Sequence, residues 1–279
     1  MTECPARLHH LHLLTEEPER LLAFYGETLG MTPERLERDL WLCAAPGRRL
    51  LIGRGPTALG FAAYRLESQS GLAATRERLA RHGVAAGPAR SPLFGPEAFS
   101  VIDPDGNTVV FGHRDASPSA SGTNHGLRAR LQHVAVATDD PEKMLRFYTE
   151  GLGFVLSDQV LDGGALSACW LRTDREHHTL ALFRTRQPGR RLDHYSYEVG
   201  EWALIRDWAD HLAASGVPIV WGPGRHGPGN NLFIMIRDPA GNLVEFSAEL
   251  EVIRGERSPA VWPQEARTFN RWGPAGLRT

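Results

Sequence analysis

The chain has 279 residues, 42% of them hydrophobic, and a formal net charge of −2. That length suggests about two domains, and the charge lacks the basic footprint that would make nucleic acid an expected partner. Three cysteines (Cys4, Cys43, Cys169) with no CxxC pair exclude a disulfide framework and a thiolate metal cage. Free thiols, no signal-like N-terminal run and no apolar stretch near 20 residues give the expectation of a cytoplasmic protein with no membrane partner.

Residues 7–31, RLHHLHLLTEEPERLLAFYGETLGM, return as RLQHVAVATDDPEKMLRFYTEGLGF at residues 130–154, without a gap. Further on, RLARHGV around Gly83 matches HLAASGV around Gly216, and IDPDGNTVVF (102–111) matches RDPAGNLVEF (237–246). The growing offset places insertions in loops of the second copy, where they are tolerated. A domain-sized repeat of this kind means tandem domains rather than a solenoid. The expected organisation is an N-terminal domain over 1–113, a Ser/Gly/Ala-rich linker over 114–129, a second domain over 130–250 and a tail over 251–279. The tail carries Trp262, Phe269 and Trp272 and is expected to lie back on a domain.

In the second copy, LQHVAVAT (131–138) alternates as a strand with His133, Ala135 and Ala137 on one face. Asp139-Asp140-Pro141 opens a helix, with an acidic N-cap and proline at the first helical position. Met144, Leu145, Phe147 and Tyr148 form its apolar stripe, and Gly151 or Gly153 ends it. LDHYSYEV (192–199) is the next strand, followed by a helix carrying Trp202, Ile205, Trp208 and Leu212 that stops at Gly216. NLFIMIR, a DPAGN turn and LVEFS read as a closing hairpin with Glu245 in its last strand. Each half is therefore strand, helix, strands, twice over.

His133, His194 and Glu245 occupy three of these strand segments. The repeat-equivalent places in the first half hold His10, Phe61 and Val110. Two imidazoles and one carboxylate on one face are the ligand set of a mononuclear non-haem Fe(II) site with open positions, and the same ligands suit Mn(II). A glutamate between Val244 and Phe246 is hard to explain as structure, because charge at an apolar face is expensive without a partner. The first half cannot build the site, so His9, His10 and His12 are read as remnants or packing.

The two-domain layout, the His-His-Glu order and the stretches HHTLALF (177–183), LDHYSYEV (192–199) and GPGRHGPGN through GNLVEFS (222–247) resemble the type I extradiol catechol dioxygenases of the vicinal oxygen chelate superfamily. The likeness spans residues from about 5 to 250. It implies an α+β fold of two tandem domains, each of two βαβββ modules forming a partly closed barrel, with the metal in the C-terminal one. It also implies cleavage of a catechol ring, by both atoms of O2, at the bond next to the two hydroxyl-bearing carbons.

By position, His178 matches the histidine that faces dioxygen and acts as acid/base, whereas His177 alternates to the other face and is read as structural. His226 matches a histidine that hydrogen-bonds the bound catecholate, and Trp170 a pocket-wall tryptophan. One departure stands out: the family's usual tyrosine, ten residues before the glutamate, is Met235 here. Tyr195 or Tyr197 is then a candidate substitute in substrate binding, although both alternate away from His194. Otherwise the pocket is drier.

An apolar pocket with Trp170, Met235 and Ala135 points to an alkyl- or aryl-substituted ring rather than one bearing a carboxylate, unless Arg267 or Arg271 in the tail supplies a cation. A homo-oligomer paired through exposed edge strands is expected. Two other readings stand beside this one. A glyoxalase-like metal-dependent isomerase or lyase commonly uses four ligands, which Phe61 and Val110 do not help to supply. A non-catalytic drug- or aromatic-binding protein has no need of two histidines and a glutamate in one half.

Overall fold

A computed structural model describes residues 4–89, 91–113, 127–185 and 191–273. Most of the expected linker, residues 114–126, lies outside the described residues, as does the end of the tail.

Four βαβββ modules follow one another, and all four are α+β units of the kind the repeat demands. The first comprises β1 (Ala6–Thr15), α1 (Pro18–Glu27), β2 (Thr32–Glu37), β3 (Leu40–Ala45) and β4 (Arg48–Arg54). The second comprises β5 (Ala58–Leu66), α2 (Gln69–Arg81), β6 (Gly87–Pro88), β7 (Phe99–Ile102) and β8 (Thr108–Gly112). The third comprises β9 (Arg130–Thr138), α3 (Pro141–Arg146), β10 (Val155–Asp162), β11 (Ala165–Arg172) and β12 (Leu180–Arg184). The fourth comprises β13 (Arg191–Gly200), α4 (Trp202–Ala214), β14 (Trp221–Arg225), β15 (Leu232–Arg237) and β16 (Leu243–Ala248). The tail adds β17 (Ala260–Pro263) and the short helix α5 (Ala266–Phe269).

In each half the first strands of the two modules pair antiparallel at the sheet centre, and each pairs in parallel with the last strand of its own module. Register repeats as well: His10 lies opposite Ala63, and His133 opposite Ser196. The sheet of the second half runs β14-β15-β16-β13-β9-β12-β11-β10-β17. Residues of β9, β11, β12, β13, β14, β15 and β16 all line one cavity, so this sheet curls around it.

Local signals act as read. The Asp140 side chain accepts from the Lys143 amide (2.9 Å), capping α3. The helix then widens by one turn through Phe147–Gly151, where the Leu152 amide donates to the Phe147 carbonyl. It stops at Gly153, whose φ of +76° favours a residue without Cβ. In α4, Ile205, Trp208 and Leu212 are buried, but Trp202 is exposed at the N-terminus and packs edge-on against Trp272 of the tail.

Buried apolar side chains of both halves form one continuous cluster, from Leu8 and Tyr25 through Tyr148 to Phe246, and each half has a smaller cluster of its own, around Phe61 and around Trp170. The halves are also clasped symmetrically. Tyr25 of α1 donates to Asp238 (2.9 Å), and Tyr148 donates to Asp103 (3.0 Å). Each aspartate opens an Asp-Pro-x-Gly-Asn turn and is held by two amides and the asparagine side chain of its own turn. Each half thus grips a turn of the other. No helix among the described residues is long and apolar enough to cross a membrane.

Candidate metal centre and substrate cavity

The curl of the second sheet brings His133 (β9), His194 (β13) and Glu245 (β16) together. Among the described residues they form the one group of three with the donors to hold a metal ion. Nε2 of His133 lies 3.0 Å from Glu245 Oε2 and 3.2 Å from Nε2 of His194, which in turn is 3.6 Å from Oε2. All three side chains are buried.

Hydrogen bonding settles which nitrogens carry protons. Nδ1 of His133 donates to Gln132 Oε1 (2.5 Å), an oxygen oriented because the amide NH2 of Gln132 donates to the His178 carbonyl and to Glu176. Nδ1 of His194 donates to Asp193 Oδ1 (2.6 Å). In the neutral rings both Nε2 atoms are therefore lone pairs converging on a carboxylate. Asn231 Nδ2 donates to the other oxygen of that carboxylate, Oε1 (3.1 Å), and leaves Oε2 toward the imidazoles. Lone pairs this close repel unless a cation lies between them, so the donor set fits a metal ion held by His133, His194 and Glu245. Outer partners of this kind orient the ligands.

Electrostatics point to the same need for positive charge at this spot: burial pushes the Glu245 carboxyl up, but positive charge placed at His133, aided by His226, outweighs it and holds the carboxyl well below its usual range. Burial lowers His133. Burial also opposes charge on His194, but Asp193 more than compensates and raises it.

Beside this centre is a cavity of about 300 Å³, at the small end for ligand sites. Trp170, Phe183, Trp221, Met235, Leu243 and Phe269 give it apolar walls. His178 lies in it with its ring 4.4 Å from that of His133, and burial holds its pKa well below the ordinary histidine value. His226 stacks on Phe233 at 3.9 Å and donates from Nδ1 to the Phe269 carbonyl (2.5 Å). Its Nε2 is thus the acceptor nitrogen, 3.5 Å from Glu245.

The structure therefore gathers His133, His194, Glu245, His178, His226, Trp170 and Met235 around one space. Tyr195 is corrected. It is fully buried on the opposite face of β13, where its hydroxyl meets that of Tyr25 in the first half, so it does not line the cavity. Tyr197 points the same way, toward Phe246. Among the described residues no tyrosine lines the cavity, and the wall at Met235 is apolar.

Among its described residues the tail reaches the cavity with Thr268 and Phe269 and not with a cation. Arg267 and Arg271 line a separate surface depression with Trp262 and Trp272. Sequence reasoning missed Trp221, Phe183, Thr268, Phe269 and the Glu245 partner Asn231. Of these only Asn231 left a signal, as a polar residue opening an apolar strand.

The first half shows the same frame filled. His10 shares a short contact with Ser91 (2.7 Å) and is flanked by Phe61 and Phe94, while Val110 and Leu93 complete an apolar cluster.

A model of the Glyoxalase/Bleomycin resistance protein/Dioxygenase superfamily matches residues 130–246. The chain is 30% identical over 283 aligned residues to metapyrocatechase 2 of Cupriavidus necator, covering 92% of this chain and 84% of that one. Homoprotocatechuate 2,3-dioxygenase from Arthrobacter globiformis superposes with a TM-score of 0.83 at 21% identity, over 99% of this chain and 90% of that one. The Mn(II)-bound glyoxalase of Novosphingobium aromaticivorans also gives 0.83, at 22% identity, over 98% and 92%. Further relatives include enzymes named for dependence on iron and on manganese.

Proposed function

We propose a function from family and site together: the chain belongs to the type I extradiol catechol dioxygenases of the glyoxalase/bleomycin resistance protein/dioxygenase superfamily. It is a ring-cleaving dioxygenase that inserts both atoms of O2 into a catechol-type ring, with Fe(II), or Mn(II) in its place, as cofactor. The observation that carries this is the convergence of two unprotonated imidazole nitrogens and one ionised carboxylate, all buried, beside an apolar cavity.

His133, His194 and Glu245 would hold the metal, which when bound supplies adjacent sites for a catechol and O2 and a path for electrons between them. The chain's own residues do the rest. His226, whose Nδ1 proton is committed to the Phe269 carbonyl, presents a bare Nε2 that accepts from a catechol hydroxyl. His178, kept neutral by burial, is the acid/base group on the other side of the ring ligands. Trp170, Phe183, Met235 and Phe269 exclude water and hold the ring. Because the lining formed by the described residues is apolar and carries no arginine or lysine, the substrate class we favour is a single-ring catechol with a small apolar substituent and no carboxylate. We also assign the metal to residues 130–250 and a scaffolding role to residues 1–113. Three buried free cysteines favour the cytoplasm, and pairing of copies through an exposed sheet edge such as β14 favours a homo-oligomer.

The test is O2 uptake and yellow ring-fission product from catechol, 3-methylcatechol and a carboxylated catechol, using protein loaded anaerobically with Fe(II). Stoichiometric O2 uptake with the alkyl catechol preferred supports the reading. Turnover of a substrate with O2 excluded would instead favour the isomerase or lyase chemistry of the glyoxalase neighbour.

A further inference from the structure

We propose that Asp158 and His177 act as positioning residues that fix the proton of His178 on Nδ1 and leave its cavity-side nitrogen bare. The proposal rests on the reading of His178 as the acid/base group. His177 is fully buried, and its ring meets that of His178 edge-on with the two Nδ1 atoms 3.0 Å apart. On its other side, His177 Nε2 lies 3.2 Å from Asp158 Oδ2, in an oblique approach. Asp158 is itself buried on β10, and Arg257 Nη1 donates to its Oδ1 (2.9 Å).

An ionised carboxylate accepts and never donates. Facing it, His177 Nε2 carries the proton, because a lone pair there would repel. The neutral ring then has only a lone pair at Nδ1, so the shared contact is made by His178 Nδ1–H donating to His177. His178 Nδ1–H then has an acceptor in His177, and His177 Nε2–H has the Asp158 charge beside it without a well-aligned hydrogen bond. His178 Nε2 is left as a lone pair for the cavity.

This fixes the order of proton events. His178 starts as an acceptor: a catechol O–H bond breaks and an N–H bond forms at Nε2. The imidazolium charge is then offset through His177 by Asp158. That proton is the one His178 later gives back during ring opening.

Asp158 has a structural task too. It accepts from Trp262 Nε1 (2.9 Å) and the Ala260 amide (3.2 Å), tying down the tail. The experiment has to separate the two tasks. The readout is 15N NMR of histidine-labelled full chain carrying diamagnetic Zn(II), with His178 assigned by its loss in His178→Gln.

In the wild type, His178 should be protonated at Nδ1 and bare at Nε2; the opposite pattern overturns the proposal without any variant. In Asp158→Asn, the amide oxygen keeps Arg257 and Ala260, while the NH2 turns to His177 and gives up the bond from Trp262. Both tautomers then flip, and kcat with Fe(II) falls about 10²-fold, the usual scale of acid/base contributions. KM for catechol changes less than threefold. Trp262→Phe removes only the tail bond: proteolysis of the tail rises several-fold, while the tautomer is retained and kcat stays within threefold. A Trp262→Phe loss equal to that of Asp158→Asn, or an unflipped Asp158→Asn, refutes the relay. If the wild type shows the stated tautomer but cleaves no catechol, the dioxygenase reading fails and the tautomer assignment stands.

Discussion

Replacing Glu245 by glutamine should abolish stabilisation by metal while leaving a folded protein. The glutamine oxygen still accepts from Asn231, and its NH2 faces the His133 and His194 lone pairs, so no buried polar group is stranded. In the wild type, Mn(II) at a thousand times its dissociation constant stabilises the native state by about 4 kcal/mol. Unfolding entropy of about 2.1 cal/mol/K per residue gives about 0.6 kcal/mol/K for the 279-residue chain. The wild-type Tm should then rise by about 7 °C. If a unit of about 120 residues melted alone, the same free energy would move Tm by about 16 °C. The continuous core and the two tyrosine clasps argue for the smaller shift. Scanning calorimetry with and without Mn(II) decides it. A Glu245→Gln protein that keeps even half the wild-type shift would refute the ligand assignment, and a 16 °C shift would refute the joint core.

Asp193→Ala frees the Nδ1 proton of His194, and a competition titration should show metal binding 10–100-fold weaker, the scale expected for loss of a ligand-orienting partner. Tyr25→Phe and Tyr148→Phe each remove a hydrogen bond to a buried aspartate, so each should lower stability in urea by about 1.5–3 kcal/mol, Tyr25→Phe by the larger amount because it also strands the buried Tyr195 hydroxyl. Glu198 gives the pH test: burial, opposed by the Gly200 amide, lifts its pKa to about 7, and its Oε2 has no partner. Because the folded value is raised, its stabilising contribution is complete below about pH 4.5 and is lost as pH rises through about 7, by at most about 3 kcal/mol. Glu198→Gln should match the wild type near pH 4.5 and be the more stable protein at pH 8, measured in chelator; a difference independent of pH would show that Glu198 is not held protonated.

The repeat made the four modules and the three candidate ligands legible, because strand alternation and equal register carry a position in one copy onto the other. What it could not carry is anything that breaks the copy symmetry. Thr268 and Phe269 reach the cavity from a tail without periodicity or a repeat partner. Asp158 sits in LSDQV, where alternation places it with Leu156 and Val160, but the donors that hold it there come from Arg257 and from β17, which pairs beside β10 out of a tail without a repeat partner. Tyr195, the candidate substitute for the missing tyrosine, alternates away from His194 in the sequence itself; what the sequence does not show is that it ends in the contact between halves, against Tyr25. The crossed pairing of Tyr25 with Asp238 and Tyr148 with Asp103 was equally invisible, since each copy holds both partners and only the packing shows that they are exchanged.

The contrast between the halves also has an energetic sense. A sheet curled around a hollow has to fill it, either with apolar side chains or with an ion and its ligands. In the first half, Phe61 stands where His194 stands, Val110 where Glu245 stands, and Phe94 and Leu93 close the space, all buried. Each such side chain contributes about 1.5–3 kcal/mol. The second half instead holds a buried carboxylate, converging imidazoles and a cavity of about 300 Å³, each of which works against folding until metal and substrate arrive. Joined through one core and two crossed clasps, the filled copy offsets the instability of the hollow one. Loss of the ligands from the first half is on this view what lets the second half keep them.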